Sequence, residues 1–130
     1  MVIKKKYHFY AAHRNKTAGE KCGRIHGHTY YVLCYFDLQM VKGITTLFSE
    51  IDNKVEPIVK HYDHYLLLNE QDELCAALDM INEPYRSLPF ETTAESMSIW
   101  LFNRIKNETK LNITKIELQE TTSSTVIYEP

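Results

Sequence analysis

Glycine and proline are scarce in this sequence, four of each in 130 residues. That scarcity excludes collagen-like, low-complexity and disordered chains. A basic excess is missing as well: 15 Lys plus Arg stand against 17 Asp plus Glu, a formal charge of -2. Neither a nucleic-acid-binding surface nor an acidic solvating tail is indicated. Long apolar runs are absent, the longest (Tyr30 to Phe36) falling far short of a membrane span. The three lysines of the opening MVIKKKYHFY are not followed by an apolar stretch of signal-peptide length. The expectation is therefore a cytoplasmic protein with no membrane partner, in which the glycosylation-type triplets at Asn15, Asn107 and Asn112 are chance matches. Cysteine is sparse and odd in number. Cys22, Cys34 and Cys75 have no regular spacing and imply no disulfide framework.

What is present is 44% hydrophobic and 12% aromatic residues, enough for one globular domain over residues 1–130 that buries about two-thirds of its unfolded surface. Val2 to Ala12 is rich in β-branched and aromatic residues and reads as a strand. His13 to Gly27 holds three of the four glycines and reads as a long, shaped loop. His28 to Leu38 is the clearest strand, with His28, Tyr30, Val32 and Cys34 on one face and His26 joining them if the strand begins that early. Beyond a capping Ser49, Ile51, Val55, Ile58 and Val59 fall on one helical face, and Pro57 should kink or split that helix. A short helix is expected over Asp72–Ile81 and a long one from Thr93 to Asn107, with Thr92 and Glu95 in capping-box register. Strands follow at Ile113–Glu120 and Thr125–Glu129. Counting the long helices, the order is ββααββ, an α+β arrangement with two helices on one face of an antiparallel sheet.

The segment AAHRNKTAGEKCGRIHGHTY gathers His13, Cys22, His26 and His28 within sixteen residues. His26 and His28 project the same way from an extended chain, and hairpin pairing would bring His13 beside them. Three neutral imidazoles with an open fourth position suit a catalytic zinc. With Cys22 as a fourth ligand the same residues suit a closed structural zinc site, and as bare strand histidines they need hold no metal. Asp63 and His64 are adjacent, and in a turn the carboxylate can orient the ring for proton transfer. Glu120 ends an alternating strand. Facing inward it would suit a ligand offering two parallel N–H donors; facing outward it is an ordinary surface residue. The remaining histidines, His8 and His61, read as structural or solvated.

Taken in order, the stretches FxAAHR (Phe9–Arg14), CGRxHGH (Cys22–His28), DHxxLLN (Asp63–Asn69), TTAE (Thr92–Glu95) and Glu120-Thr121 resemble the family of 6-pyruvoyltetrahydropterin and 6-carboxy-5,6,7,8-tetrahydropterin synthases. The resemblance implies the tunnelling fold, a four-stranded antiparallel sheet with two helices on one face. It further implies a barrel-shaped homo-oligomer, commonly a hexamer, with active sites at subunit boundaries. It makes His13, His26 and His28 ligands of Zn2+, Cys22 the general base and Asp63 with His64 its proton relay. Glu120 becomes the anchor of the pterin ring, Thr93 a further substrate contact, and Arg24 and Lys21 candidates to neutralise triphosphate. The implied activity is that of a zinc-dependent lyase acting on 7,8-dihydroneopterin triphosphate. The CGRIHGH loop and the long Asn69–Glu91 connection look more like the 6-carboxytetrahydropterin branch of the queuosine pathway. The 6-pyruvoyl branch and a non-catalytic zinc- or purine-binding module are the alternatives. The chain departs from the family pattern at Leu47-Phe48, where an acidic residue is usual before the Phe, and at Glu91-Thr92, where Asn-Pro is usual.

Overall fold

The computed structural model describes residues 1–130. Its elements are β1 (Val2–His13), β2 (His26–Asp37), α1 (Phe48–Lys60), β3 (Tyr65–Asn69), α2 (Leu74–Met80), β4 (Arg86–Leu88), α3 (Ala94–Thr109), β5 (Ile113–Thr121) and β6 (Ser124–Tyr128). All six strands form one sheet in the order β4-β3-β1-β2-β5-β6. The antiparallel ribbon β1-β2-β5-β6 is the expected four-stranded unit. Two short strands extend it: β3 runs parallel to β1, and β4 parallel to β3. The sheet is therefore six-stranded and mixed, with three helices counting α2, rather than four-stranded and antiparallel with two. The YLLLN run of β3 lacks the two-residue alternation that marks a half-exposed strand, and β4 is three residues long, so neither carries a pattern to read.

β1 and β2 obey strict alternation. Tyr7, Phe9 and Ala11 of β1 and Tyr30, Val32, Cys34 and Phe36 of β2 are buried, while Lys4, Lys6, His8 and Tyr10 face outward. Phe9 stacks on Tyr30, with centroids 4.7 Å apart and planes at 9°. Against this face pack Ile51, Val55, Ile58 and Val59 of α1 and Met97, Leu101, Phe102 and Ile105 of α3. Removing these apolar surfaces from water is the main stabilising contribution of the domain.

Two helix starts differ from expectation. α1 begins at Phe48, so Ser49 lies inside its first turn, and the Glu50 carboxylate accepts the N–H of Leu47 at 3.3 Å. α3 is capped by Thr93, whose hydroxyl accepts the Ser96 N–H at 3.2 Å, and not by Thr92, which is fully buried. Pro57 does not split α1, which runs on through Lys60. Pro57 and Asn53 both lie on the exposed side, so the carbonyl that loses its helical partner meets water.

Candidate metal centre and active site

The register of the first hairpin builds the site. His13 at the end of β1 lies directly opposite His26 at the start of β2, and Ala11 lies opposite His28. All three histidines therefore emerge on the helix-covered face, at one end of the sheet. One ring nitrogen from each lies within 4.8 Å of the other two. The His13 and His26 Nε2 atoms are 3.1 Å apart. Two ligands of a tetrahedral zinc with bonds of about 2.0–2.1 Å lie about 3.3 Å from each other.

Backbone carbonyls fix which nitrogens are free. His13 Nδ1–H donates to the Thr92 carbonyl at 2.7 Å, and His26 Nδ1–H donates to the Arg24 carbonyl at 2.7 Å. In both rings this leaves Nε2 as the lone-pair nitrogen, and the two lone pairs face one another. Such an arrangement is unfavourable until a cation sits between them, and outer hydrogen bonds of this kind orient metal-bound histidines. Burial lowers the pKa of His13 and of His28, which keeps both rings in the neutral form a metal requires. The donor set is three imidazoles, two of them held by backbone carbonyls, so the residues fit a zinc ion.

Glu120 completes this corner. The β5–β6 register shifts between Gln119 and Thr121, a bulge that sets Glu120 apart from the ladder. Its Oε1 lies 3.3 Å from His13 Nε2 and 3.5 Å from His28 Nε2, and it accepts a hydrogen bond from the Tyr30 hydroxyl at 3.4 Å. Tyr30 is fully buried, and burial followed by the Glu120 charge raises its pKa, so it stays a neutral donor.

Asp63 and His64 lie beyond the end of α1. His64 adopts a left-handed backbone, φ 63°, and its N–H donates to the Tyr10 carbonyl at 2.6 Å. Asp63 Oδ2 holds His64 Nδ1 at 2.9 Å, and its Oδ1 accepts the Tyr10 N–H at 2.9 Å. Desolvation pushes the Asp63 pKa up. The hydrogen bonds from Tyr10 and His64 outweigh it and hold the carboxyl below its usual value. The exposed His64 lines an open cleft of about 530 Å³ together with Tyr10, Gly27, His28, Thr29 and Tyr65. A second cleft of about 390 Å³ runs from Gly27, His28 and Thr29 to Glu120 and Thr121. His28 thus lies between the Asp63-His64 pair and Glu120.

The structure brings together His13, His26, His28 and Glu120, and sets His64 on a cleft shared with His28. Cys22 is exposed on the β1–β2 loop, and no hydrogen bond joins it to Asp63 or His64 within one chain. Arg24 is exposed and pairs with Glu20 at 2.9 Å. The Thr93 hydroxyl is engaged in capping α3, bonded to the Ser96 N–H and hydroxyl. Sequence reasoning missed Thr92, the Arg24 carbonyl and Tyr30. The first two act through main-chain oxygens, which no residue type announces. Tyr30 did carry a signal, sharing the strand face of His28.

Residues 2–130 match the sequence profile of the family described as 6-pyruvoyl tetrahydropterin synthase. The chain is 28% identical over 137 aligned residues to the 6-carboxy-5,6,7,8-tetrahydropterin synthase of Haemophilus influenzae, covering 98% of this chain and 97% of that one. Among solved structures, protein WS1659 of Wolinella succinogenes superposes with a TM-score of 0.83 at 18% identity, covering 99% of this chain and 97% of the other. The 6-pyruvoyl tetrahydropterin synthase of Caenorhabditis elegans superposes with a TM-score of 0.72 at 18% identity, covering 100% and 95%. A profile match over nearly the whole length, on a chain whose hairpin register gathers three histidines, makes this protein a member of the 6-pyruvoyl tetrahydropterin synthase family.

Proposed function

We propose that the chain is a 6-carboxy-5,6,7,8-tetrahydropterin synthase that converts 7,8-dihydroneopterin triphosphate and water to 6-carboxytetrahydropterin, acetaldehyde and triphosphate. The observation that carries the reading is the convergence of His13, His26 and His28, with two Nδ1 atoms committed to carbonyls and Nε2 left for a metal. The near full-length similarity to the Haemophilus influenzae synthase selects the carboxy branch. When bound, a zinc ion supplies Lewis acidity toward the hydroxyl oxygens of the substrate side chain and makes neighbouring protons more acidic. Every other function falls to the chain. Glu120 accepts the 2-amino and ring N–H donors of the pterin and fixes its face. Cys22 removes and returns a proton, which His64 relays under the orientation of Asp63. Thr93 and Arg24 are further substrate contacts, Arg24 through its charge toward triphosphate.

Cys22 makes no hydrogen bond to Asp63 or His64 within one chain, which supports a site built between subunits of a homo-oligomer, a barrel-shaped hexamer in this reading, working in the cytoplasm. A second reading, triphosphate elimination to 6-pyruvoyltetrahydropterin, draws on the fold shared with the Caenorhabditis elegans enzyme. Incubation of zinc-loaded protein with dihydroneopterin triphosphate, with products identified by mass, decides between them. Carboxy-pterin supports the first reading, pyruvoyl-pterin replaces it with the second, and unchanged substrate leaves a binding module.

A further inference from the structure

Asn15 sits in the loop two residues beyond His13, and its side chain is almost fully buried. Its backbone N–H donates to the Cys22 carbonyl at 2.8 Å, closing the loop that carries the exposed thiol. Its side-chain oxygen accepts the Thr92 hydroxyl at 3.4 Å. Thr92, fully buried, presents its carbonyl to His13 Nδ1–H at 2.7 Å and its hydroxyl oxygen 3.4 Å from the same nitrogen. A continuous path of hydrogen bonds therefore runs from the backbone of Cys22 through Asn15 and Thr92 to the ring of His13, and Asn15, Thr92 and His13 are buried. Burying an amide and a hydroxyl carries a desolvation cost that an apolar pair of similar size would avoid. What the polar pair adds is this link. Thr92 also stands at one of the positions where the chain departs from the family pattern.

A tight turn and an ion pair hold the loop in place. Gly23 N–H donates to the Gly19 carbonyl at 2.9 Å, and a Cβ on Gly23 would lie 2.9 Å from that same oxygen, so the turn closes only around glycine. Arg14, between His13 and Asn15, is clamped in a two-point ion pair by Asp72.

We infer that Asn15 and Thr92 are positioning residues that couple the loop carrying Cys22 to the His13 imidazole, so that seating a metal on the histidines sets the place of the thiol. The inference rests on the proposed metal site. Because Cys22 is exposed while Cys34 and Cys75 are buried, alkylation by iodoacetamide followed by mass spectrometry reads Cys22 alone. The rate is measured with and without saturating zinc, and zinc affinity is measured separately by competition with a chromophoric chelator. The charge of the zinc ion acts on the thiol in every variant, so differences between variants isolate the link. Zinc changes the rate in the wild type, and in Asn15→Leu that change shrinks by about threefold or more, the low end of coupling between contacting residues. Thr92→Val behaves as Asn15→Leu, Thr92→Ser keeps the wild-type response, and the double variant Asn15→Leu/Thr92→Val loses no more than either single change. If Asn15→Leu does not fold, the Thr92→Val and Thr92→Ser pair carries the test. An equal zinc response in wild type, Asn15→Leu and Thr92→Val overturns the coupling even with zinc affinity intact. A wild type that takes up no zinc in the chelator assay overturns the metal reading itself, a separate and visible failure.

Discussion

In the proposed function, His13, His26 and Cys22 divide the chemistry at the scale of single residues. The two imidazoles are held by backbone carbonyls with Nε2 turned inward, whereas the thiol stands exposed on a loop. Replacing Cys22 with Ala is therefore expected to reduce turnover by about 10²–10⁴-fold, the usual contribution of a positioned acid or base, while zinc content stays unchanged. Metal analysis and steady-state kinetics on the same sample check this; loss of zinc would make Cys22 a ligand. Replacing His28 with Ala removes one of three donors and should lower the zinc retained after dialysis to well under one per chain. Full retention would refute the three-histidine site. These histidines were legible in the sequence because strand periodicity sets His26 and His28 on one face and hairpin pairing sets His13 beside them. The partners that orient them were not, since a carbonyl of Thr92 or Arg24 belongs to any residue type and only the tertiary fold delivers it.

Strands β1 and β2 and helix α3 were readable at the scale of elements because alternation and helical spacing recorded which face each buries. β3 and β4 were not, because parallel strands covered on both faces keep no alternation and three residues hold no period. The α3 cap fell one residue from its expected place because both Thr92 and Thr93 suit the position, and His13 takes up the carbonyl of Thr92. The core makes a prediction of its own. Leu101 is fully buried between α3 and the sheet, so Leu101→Ala should cost about 2–5 kcal/mol in urea unfolding. A loss under ~1 kcal/mol would mean that the helix packs more loosely than described. A second prediction concerns how α1 is joined to β1. Asp52 of α1 accepts the Tyr7 hydroxyl at 2.9 Å and lies 3.0 Å from Lys5. Desolvation raises its pKa, but the bonds from Lys5 and Tyr7 prevail and hold it below its ordinary value. A carboxyl with a depressed folded pKa adds stability above its unfolded value, about 3.9, and loses it as pH falls through the folded one. Asp52→Asn should therefore lower the urea midpoint at pH 7, with the gap to wild type narrowing toward pH 3. A gap independent of pH would contradict this account.

At the scale of the whole molecule, the family and the α+β plan were legible because five motifs fall in order along the chain. The proposed contacts between subunits were not, since no motif in the sequence says which sheet edge would meet another copy. The subunit-boundary proposal predicts complementation. Cys22→Ala and His64→Ala, each inactive alone, should regain activity when co-refolded in equal amounts, because some sites then draw an intact thiol and an intact relay from different copies. Random mixing gives about a quarter of wild-type activity. No recovery in a verified mixed oligomer would place both groups on one chain.

The claim beneath all of this is that three imidazoles and no sulfur hold the metal. X-ray absorption on protein loaded with one zinc per chain tests it most directly. The account predicts a first shell of three imidazole nitrogens at about 2.0–2.1 Å with a light oxygen or nitrogen donor in the fourth place. A sulfur scatterer at about 2.3 Å, or fewer than three imidazoles, would contradict it.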